Sequence, residues 1–263
     1  MQPVITLLTD FGTSDHYVAA MKGVLLSICP GARIVDITHE ISPYGILEAA
    51  YKLSQCWSCF PAGTIHVVVV DPGVGGSRRP ILVEAGGHFF VGPDNGVFSM
   101  VLAAVGGFAA REITSAEYFR HPVSRTFHGR DIFAPVAAHL AQGIAPERFG
   151  TELSDPVRLP GAVPVPVEPG RWAGTVLAVD RFGNIVTNFR SEEFGWIAGQ
   201  GFEITVGSGL VSRYCRTYAE APAGELFAIG GSAGFVEISM RESSGGDRLG
   251  VLPGTALLIR KVL

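Results

Sequence analysis

The hydrophobic pattern of the chain changes period as it runs, and each change predicts an element. Val4–Thr9 (VITLLT) reads as a first strand. Val18, Met21, Leu25 and Ile28 then recur at spacings of three and four, the stripe of an amphipathic helix capped by Ser14 and stopped at Pro30-Gly31. Arg33–Thr38 is a second strand. Ser42-Pro43 opens another helix, with proline in the first turn where its missing N–H costs nothing, and Ile46, Ala49, Ala50 and Leu53 as its apolar face. Ile65–Val70 is almost unbroken in β-branched residues, the mark of a strand buried on both faces, and it stops at Asp71-Pro72-Gly73. A hairpin of Ile81–Ala85 with Phe89–Val91 follows, then a dense turn at Gly92–Gly96 and a helix ending near Gly106-Gly107. Asp131 is read as the cap of a last helix running through Leu140. Strand–helix alternation predicts an α/β domain with a central, mostly parallel sheet.

Residues 161–170, GAVPVPVEPG, break the pattern with three prolines and no period, and are read as a linker. Beyond it the chain turns to short strands at Thr175–Val179, Ile185–Phe189, Phe202–Val206, Leu226–Ile229, Phe235–Ser239 and Ala256–Val262. The expected organisation is an N-terminal α/β domain over 1–160 and a smaller β domain, sandwich or barrel, over 171–263.

Composition narrows the function classes. Of 263 residues 47% are hydrophobic and only 17% charged, below the usual ~25%, which suits a tightly packed and oligomeric protein. The net charge of −4 argues against nucleic acid as a partner. The uncharged stretch Gly96–Ala110 is too short and glycine-rich to cross a membrane, and Asp10 interrupts the first apolar run too early for a secretory signal. A cytoplasmic protein is expected, with Cys29, Cys56, Cys59 and Cys215 as reduced thiols. Cys56-Trp57-Ser58-Cys59 spells CxxC, but no second ligand pair offers a zinc site, and the pair ends a helix where the dipole disfavours a thiolate.

The candidate chemistry sits at strand ends. Asp71 closes the central strand beside a loop holding Arg78 and Arg79, the place where open α/β sheets keep ligands. Asp10-Phe11-Gly12 copies a kinase tripeptide without the glycine-rich loop and lysine that give it meaning. Gly73-Val74-Gly75-Gly76 lacks the GK[ST] of a phosphate loop. Asp10, Asp36, His39 and Asp71 have no metal-binding spacing. His128, in the polar loop Thr126–Asp131, gains a role if it meets Asp71. Asp180–Asn184 and Gly230–Gly234 present an acid, a ring, an amide and free backbone N–H groups in the second domain.

Several long motifs in order resemble those of the S-adenosyl-L-methionine (SAM) hydroxide adenosyltransferases, adenosine-forming SAM hydrolases related to fluorinase and chlorinase. They are LTDFG (8–12), VDITHEI (35–41), VVDPGVGG (69–76), GPDNG (92–96), TFHGRDIFAP (126–135), VDRFGN (179–184) and GSAGFVEIS (231–239). The resemblance spans nearly the whole chain. It implies an α/β N-terminal domain, a short linker, a β-barrel-like C-terminal domain, and a homotrimer that holds substrate between neighbouring subunits.

By motif, the resemblance implies a hydrolytic triad of Asp71, Arg78 and His128, with Arg79 the adjacent competitor for the arginine role. It implies ribose contacts from Asp10, methionine contacts from Asp15, Asp180 and Ser232, and an adenine pocket from Phe182, Asn184 and Glu237. Tyr44 stands where halogenating relatives carry Trp, and Met240–Ser244 departs from the family pattern. The implied reaction turns SAM and water into adenosine and methionine without metal or organic cofactor. Its alternatives are a halogenase of the same superfamily, disfavoured by the anionic Asp71, and a non-catalytic SAM- or adenosine-binding protein.

Overall fold

The computed structural model describes residues 2–262. The chain forms two compact units that divide between Leu159 and Pro160.

The first unit is built on a six-stranded sheet. Its strands are β1 (Val4–Thr9), β2 (Arg33–Thr38), β3 (Ile65–Val69), β4 (Pro80–Ala85), β5 (His88–Pro93) and β6 (Phe108–Glu112), in the order β2-β1-β3-β5-β4-β6. The pairs β1/β2, β1/β3 and β3/β5 are parallel, while β4 runs antiparallel to both its neighbours. The fully buried β3 lies at the centre, as its β-branched run requires. Helices α1 (Tyr17–Ile28) and α4 (Ala134–Ala141) share one apolar cluster with Leu7, Val67 and Val91, and α2 (Ile46–Cys56) and α3 (Ser99–Ala104) share another with Leu8, Val68 and Phe90. Alternate residues of the parallel strands thus feed opposite layers. From β1 the chain first goes out to β2 and then returns to β3 on the other side. The order reverses between β1 and β3, and a crevice opens at their carboxyl ends, where Asp10 and Asp71 follow.

Local details depart from the pattern-based expectations. Helix α1 starts at Tyr17 with His16 as its cap residue, so Ser14 caps nothing. Helix α2 starts at Ile46, because Tyr44 adopts a left-handed φ of 66°, which no helix accommodates; Ser42-Pro43 therefore precedes the helix. Asp131 is no cap either. It is fully buried within a π turn, Gly129–Phe133, that leads into α4, and its carboxylate accepts from Arg120, Arg130 and the Ser124 N–H.

The second unit is antiparallel and barrel-like. Strands β7 (Val165–Glu168), β8 (Arg171–Val179), β9 (Ile185–Arg190), β10 (Phe202–Val206), β11 (Gly209–Val211), β12 (Leu226–Gly230), β13 (Phe235–Met240) and β14 (Ala256–Lys261) follow the path β11-β10-β14-β8-β9-β13-β12. Tyr214, just past β11, bridges to Ala228 of β12, so the ends of the path meet. Strand β7 lies within the proline-rich segment read as linker and pairs with β8 at the sheet margin, where proline is tolerated. Among the described residues no helix is long and apolar enough to cross a membrane.

Candidate active site

Two clefts gather the candidate residues, one in each unit. The first, of about 270 Å³, opens at the carboxyl ends of β1 and β3 and is lined by Asp10, Phe11, Tyr44, Asp71, Phe127 and His128, among others. Arg78 lies between Asp71 and His128. Its Nε donates to Oδ1 and Oδ2 of Asp71 at 2.9 and 3.0 Å, one terminal nitrogen donates to Oδ2, and the same nitrogen lies 2.8 Å from Nδ1 of His128. The guanidinium rests on the Phe133 ring, 5.3 Å from its centroid, which fixes its plane. Arg79 points elsewhere: it binds Asp94 at 2.8 Å and Asp155 at 2.9 Å. The two adjacent arginines are thereby separated, and Arg78 alone meets Asp71 and His128.

The loop that delivers Arg78 is tightly specified. Gly75 has a φ of 72°, and a Cβ there would collide with the Arg125 carbonyl oxygen. Only glycine lets the loop after β3 lie against the segment that precedes His128. On the other side, Gly129 leaves room for Met21, Phe127 and Val69 beneath His128.

Electrostatics set the protonation states. A guanidinium has no acceptor, so His128 receives the Arg78 hydrogen bond on an unprotonated Nδ1. Burial, and then the Arg78 charge, push the His128 pKa below its ordinary value, and Asp71 and Asp131 offset this only in part. The imidazole is therefore neutral, with its proton on Nε2. Asp10 accepts the Tyr44 N–H at 2.9 Å. Burial raises its pKa despite that bond, and the charge of nearby Asp71 adds to the rise. Asp15 is exposed ahead of α1 and does not line the cleft.

The second cleft, of about 640 Å³, collects Asp180, Phe182, Asn184, Ser232 and Glu237, the residues that the motifs of the second domain single out. Asp180 closes a tight turn, accepting from Phe182 N–H, Asn184 N–H and the Asn184 amide. Phe182 is left 79% exposed. Buried Glu237 accepts from the Tyr218 hydroxyl at 3.2 Å. Burial raises the Glu237 pKa, and burial together with Glu237 pushes the Tyr218 phenol up to about 12.

Tyr218 lines this cleft but was not among the expected site residues, and neither were Phe11, Tyr17 and Phe127, which line the first. Aromatic content near LTDFG and TFHGRD was the available signal for the last three; nothing in the sequence links Tyr218 to Glu237. Among the described residues no cluster of His, Cys, Asp or Glu could hold a metal ion. Burial pushes the Cys56 thiol up to about 11, with Cys59 adding to the shift, as suits an inert structural thiol.

This geometry coincides with clear relationships to known proteins. A family model described as the SAM hydroxide adenosyltransferase N-terminal domain matches residues 5–150, and the corresponding C-terminal domain model matches residues 174–258. The chain is 39% identical over 264 residues to a Salinispora arenicola protein named (R)-S-adenosyl-L-methionine hydrolase, with 98% of this chain and 97% of that relative covered. A fluorinase from an Actinoplanes species is more distant, 29% identical over 227 residues and 76% of each chain. A solved structure of an uncharacterised conserved protein from Thermotoga maritima has a TM-score of 0.86 at 38% identity, covering 97% of this chain and 99% of that one.

Proposed function

The chain belongs to the SAM hydroxide adenosyltransferase family, and from that premise we propose that it hydrolyses SAM to adenosine and L-methionine by attack of water at C5′. The observation that carries the reading is the Arg78 bridge between Asp71 and His128, two residues that line the first cleft. The C5′–O bond forms as the C5′–S bond breaks, its electron pair goes to sulfur, and one proton leaves the attacking water. Sulfur departs as a neutral thioether, so no general acid is required. The work lies in holding the oxygen in line with C5′–S and in stabilising its developing charge.

Arg78 supplies that positive charge. With Nδ1 occupied and Nε2 protonated, His128 has no free lone pair for a proton, so it acts as an orienting donor through Nε2–H. The carboxylate of Asp71 keeps lone pairs beyond those that bind Arg78, which makes it the acceptor of the water's proton. Asp10 binds the ribose hydroxyls, Tyr44 borders the reacting carbon, and Asp15 reaches the methionine end. In the second cleft Asp180 and Ser232 hold the amino-acid group, while Phe182, Asn184 and Glu237 take the adenine. The (R)-sulfonium named for the Salinispora relative is the epimer expected here.

The first cleft is smaller than the ~300–1,000 Å³ usual for small-molecule sites, which suits a site completed by a second surface. We assign that surface to the C-terminal unit of a neighbouring subunit, in a homotrimer. No metal or organic cofactor enters the scheme, and neither nucleic acid nor membrane is a partner.

Incubation of purified protein with SAM tests the reading. Equal amounts of adenosine and methionine, independent of added chloride or fluoride, are expected. A 5′-halogenated adenosine would make the protein a halogenase, and tight binding without turnover would make it a sensor.

A further inference from the structure

The VDITHEI segment (35–41) contributes no side chain to the lining of the first cleft described above, yet its His39 is buried, 5% exposed, against Thr9, the neighbour of the cleft-lining Asp10. A register irregularity between Leu7 and Leu8 pairs Leu7 with Asp36 and Leu8 with Thr38, which turns the end of β2 toward the end of β1. His39 Nδ1 then meets the Thr9 hydroxyl at 2.9 Å, and the same hydroxyl accepts the Phe11 N–H at 3.2 Å. The Thr9 hydroxyl thus links the imidazole to the Phe11 amide. Nε2 lies 3.1 Å from Asp36 Oδ1, close but off line for a hydrogen bond, and the other Asp36 oxygen binds Lys22 of α1 at 2.6 Å. The His39 carbonyl accepts the Gly12 N–H at 2.8 Å. Every one of these contacts except the Asp36–Lys22 branch converges on residues 9–12, the turn that carries Asp10 and Phe11 into the cleft.

We infer that His39 is a positioning residue: through Thr9 it fixes the Thr9–Gly12 turn, and so the aim of Asp10 at the substrate. The inference rests on the reading of Asp10 as a substrate-binding group. The same sheet supplies an internal comparison. His66 of β3 binds the Thr6 hydroxyl at 2.8 Å in the same way, but Thr6 lies three residues upstream of Thr9, away from the turn. A histidine–threonine pair that merely packs would behave alike at both places.

Two measurements decide it. In the unliganded protein, amide hydrogen exchange at Phe11 and Gly12 is followed by NMR for wild type, His39→Ala, His39→Asn and His66→Gln. His39→Ala should speed exchange at both amides at least tenfold. His39→Asn, which keeps a hydrogen-bonding group near the Nδ1 position, should restore most of the protection, and His66→Gln should leave it unchanged. With SAM as substrate, His39→Ala should raise KM about tenfold while kcat stays within about threefold. The double variant Asp10→Ala/His39→Ala should then be no worse in KM than Asp10→Ala alone. Unchanged exchange at Phe11 and Gly12, equal effects from His66→Gln, or fully multiplicative KM losses would overturn the inference. If the wild type turns over no SAM, the functional reading fails, and the exchange measurement still decides the role of His39. Should His39→Ala not fold, His39→Gln, whose amide lies beyond the Nδ1 position, is read in its place in both measurements, with the same changes expected and their absence overturning the inference.

Discussion

Arg78 donates to Nδ1 of His128 at 2.8 Å while gripping both carboxylate oxygens of Asp71. One cation thereby fixes the tautomer of the His128 imidazole and the geometry of the Asp71 carboxylate. Removing it should be felt in chemistry more than in binding. Arg78→Ala is expected to lower kcat by about a hundredfold or more, the scale of losing one preorganised donor. KM for SAM should stay level or fall, because a positive charge near a sulfonium repels it. Arg78→Lys should rescue little, since an ammonium cannot span Asp71 and His128 in one plane. Steady-state kinetics of the two variants provide the check.

Arg79→Ala should show the opposite profile. Its partner Asp94 is buried, 5% exposed, and also accepts the Val157 N–H at 2.8 Å, so the pair ties the segment after α4 to the site loop. Losing the guanidinium is expected to cost about 1–3 kcal/mol of stability, seen as a lower denaturation midpoint, with kcat within a few-fold of the parent.

Asp10→Asn tests the binding half of the cleft. The variant keeps an acceptor for the Tyr44 N–H but loses the charge. KM should rise by a factor of about ten, with a smaller change in kcat, if Asp10 acts on ribose hydroxyls and not on the nucleophile. A selective loss of kcat would move Asp10 into the proton-transfer machinery.

Acidification should weaken the fold through His66. Burial, and then the neighbouring His88, push its pKa down to about 3, against 6.5 for an exposed imidazole. Between those values the unfolded chain binds a proton that the folded chain refuses. Stability is therefore full above pH 6.5 and is lost as pH falls toward 3, by up to about 1.4 kcal/mol per pH unit. Burial shifts His88 and His128 in the same direction. Chemical denaturation across this range should slope downward with acid, and His66→Gln should flatten the slope.

Much of this was legible in the chain and some was not, for identifiable reasons. The β-branched run before Asp71 announced a buried central strand, and LTDFG and VVDPGVGG placed acids at neighbouring strand ends. Adjacent Arg78 and Arg79 could not be told apart by sequence, since only the fold sends one to His128 and the other to Asp155. Asp131 resembled a helix cap because the π turn that buries it against Arg130, Ser124 and Arg120 has no local sequence pattern. The helix start at Ser42-Pro43 failed because nothing in the sequence signals a left-handed tyrosine. Strand β7 was hidden by prolines that only an edge position permits. Tyr218 reaches the second cleft from a segment without a motif and meets Glu237, nineteen residues onward.

The central claim is that an oxygen of water attacks C5′, and isotopic water reads it directly. Turnover of SAM in ¹⁸O-labelled water should place one ¹⁸O in the 5′-hydroxyl of adenosine and none in methionine, observed by mass spectrometry. Adenosine without label, label in methionine, or a 5′-halogenated product in place of adenosine would contradict hydrolysis at C5′.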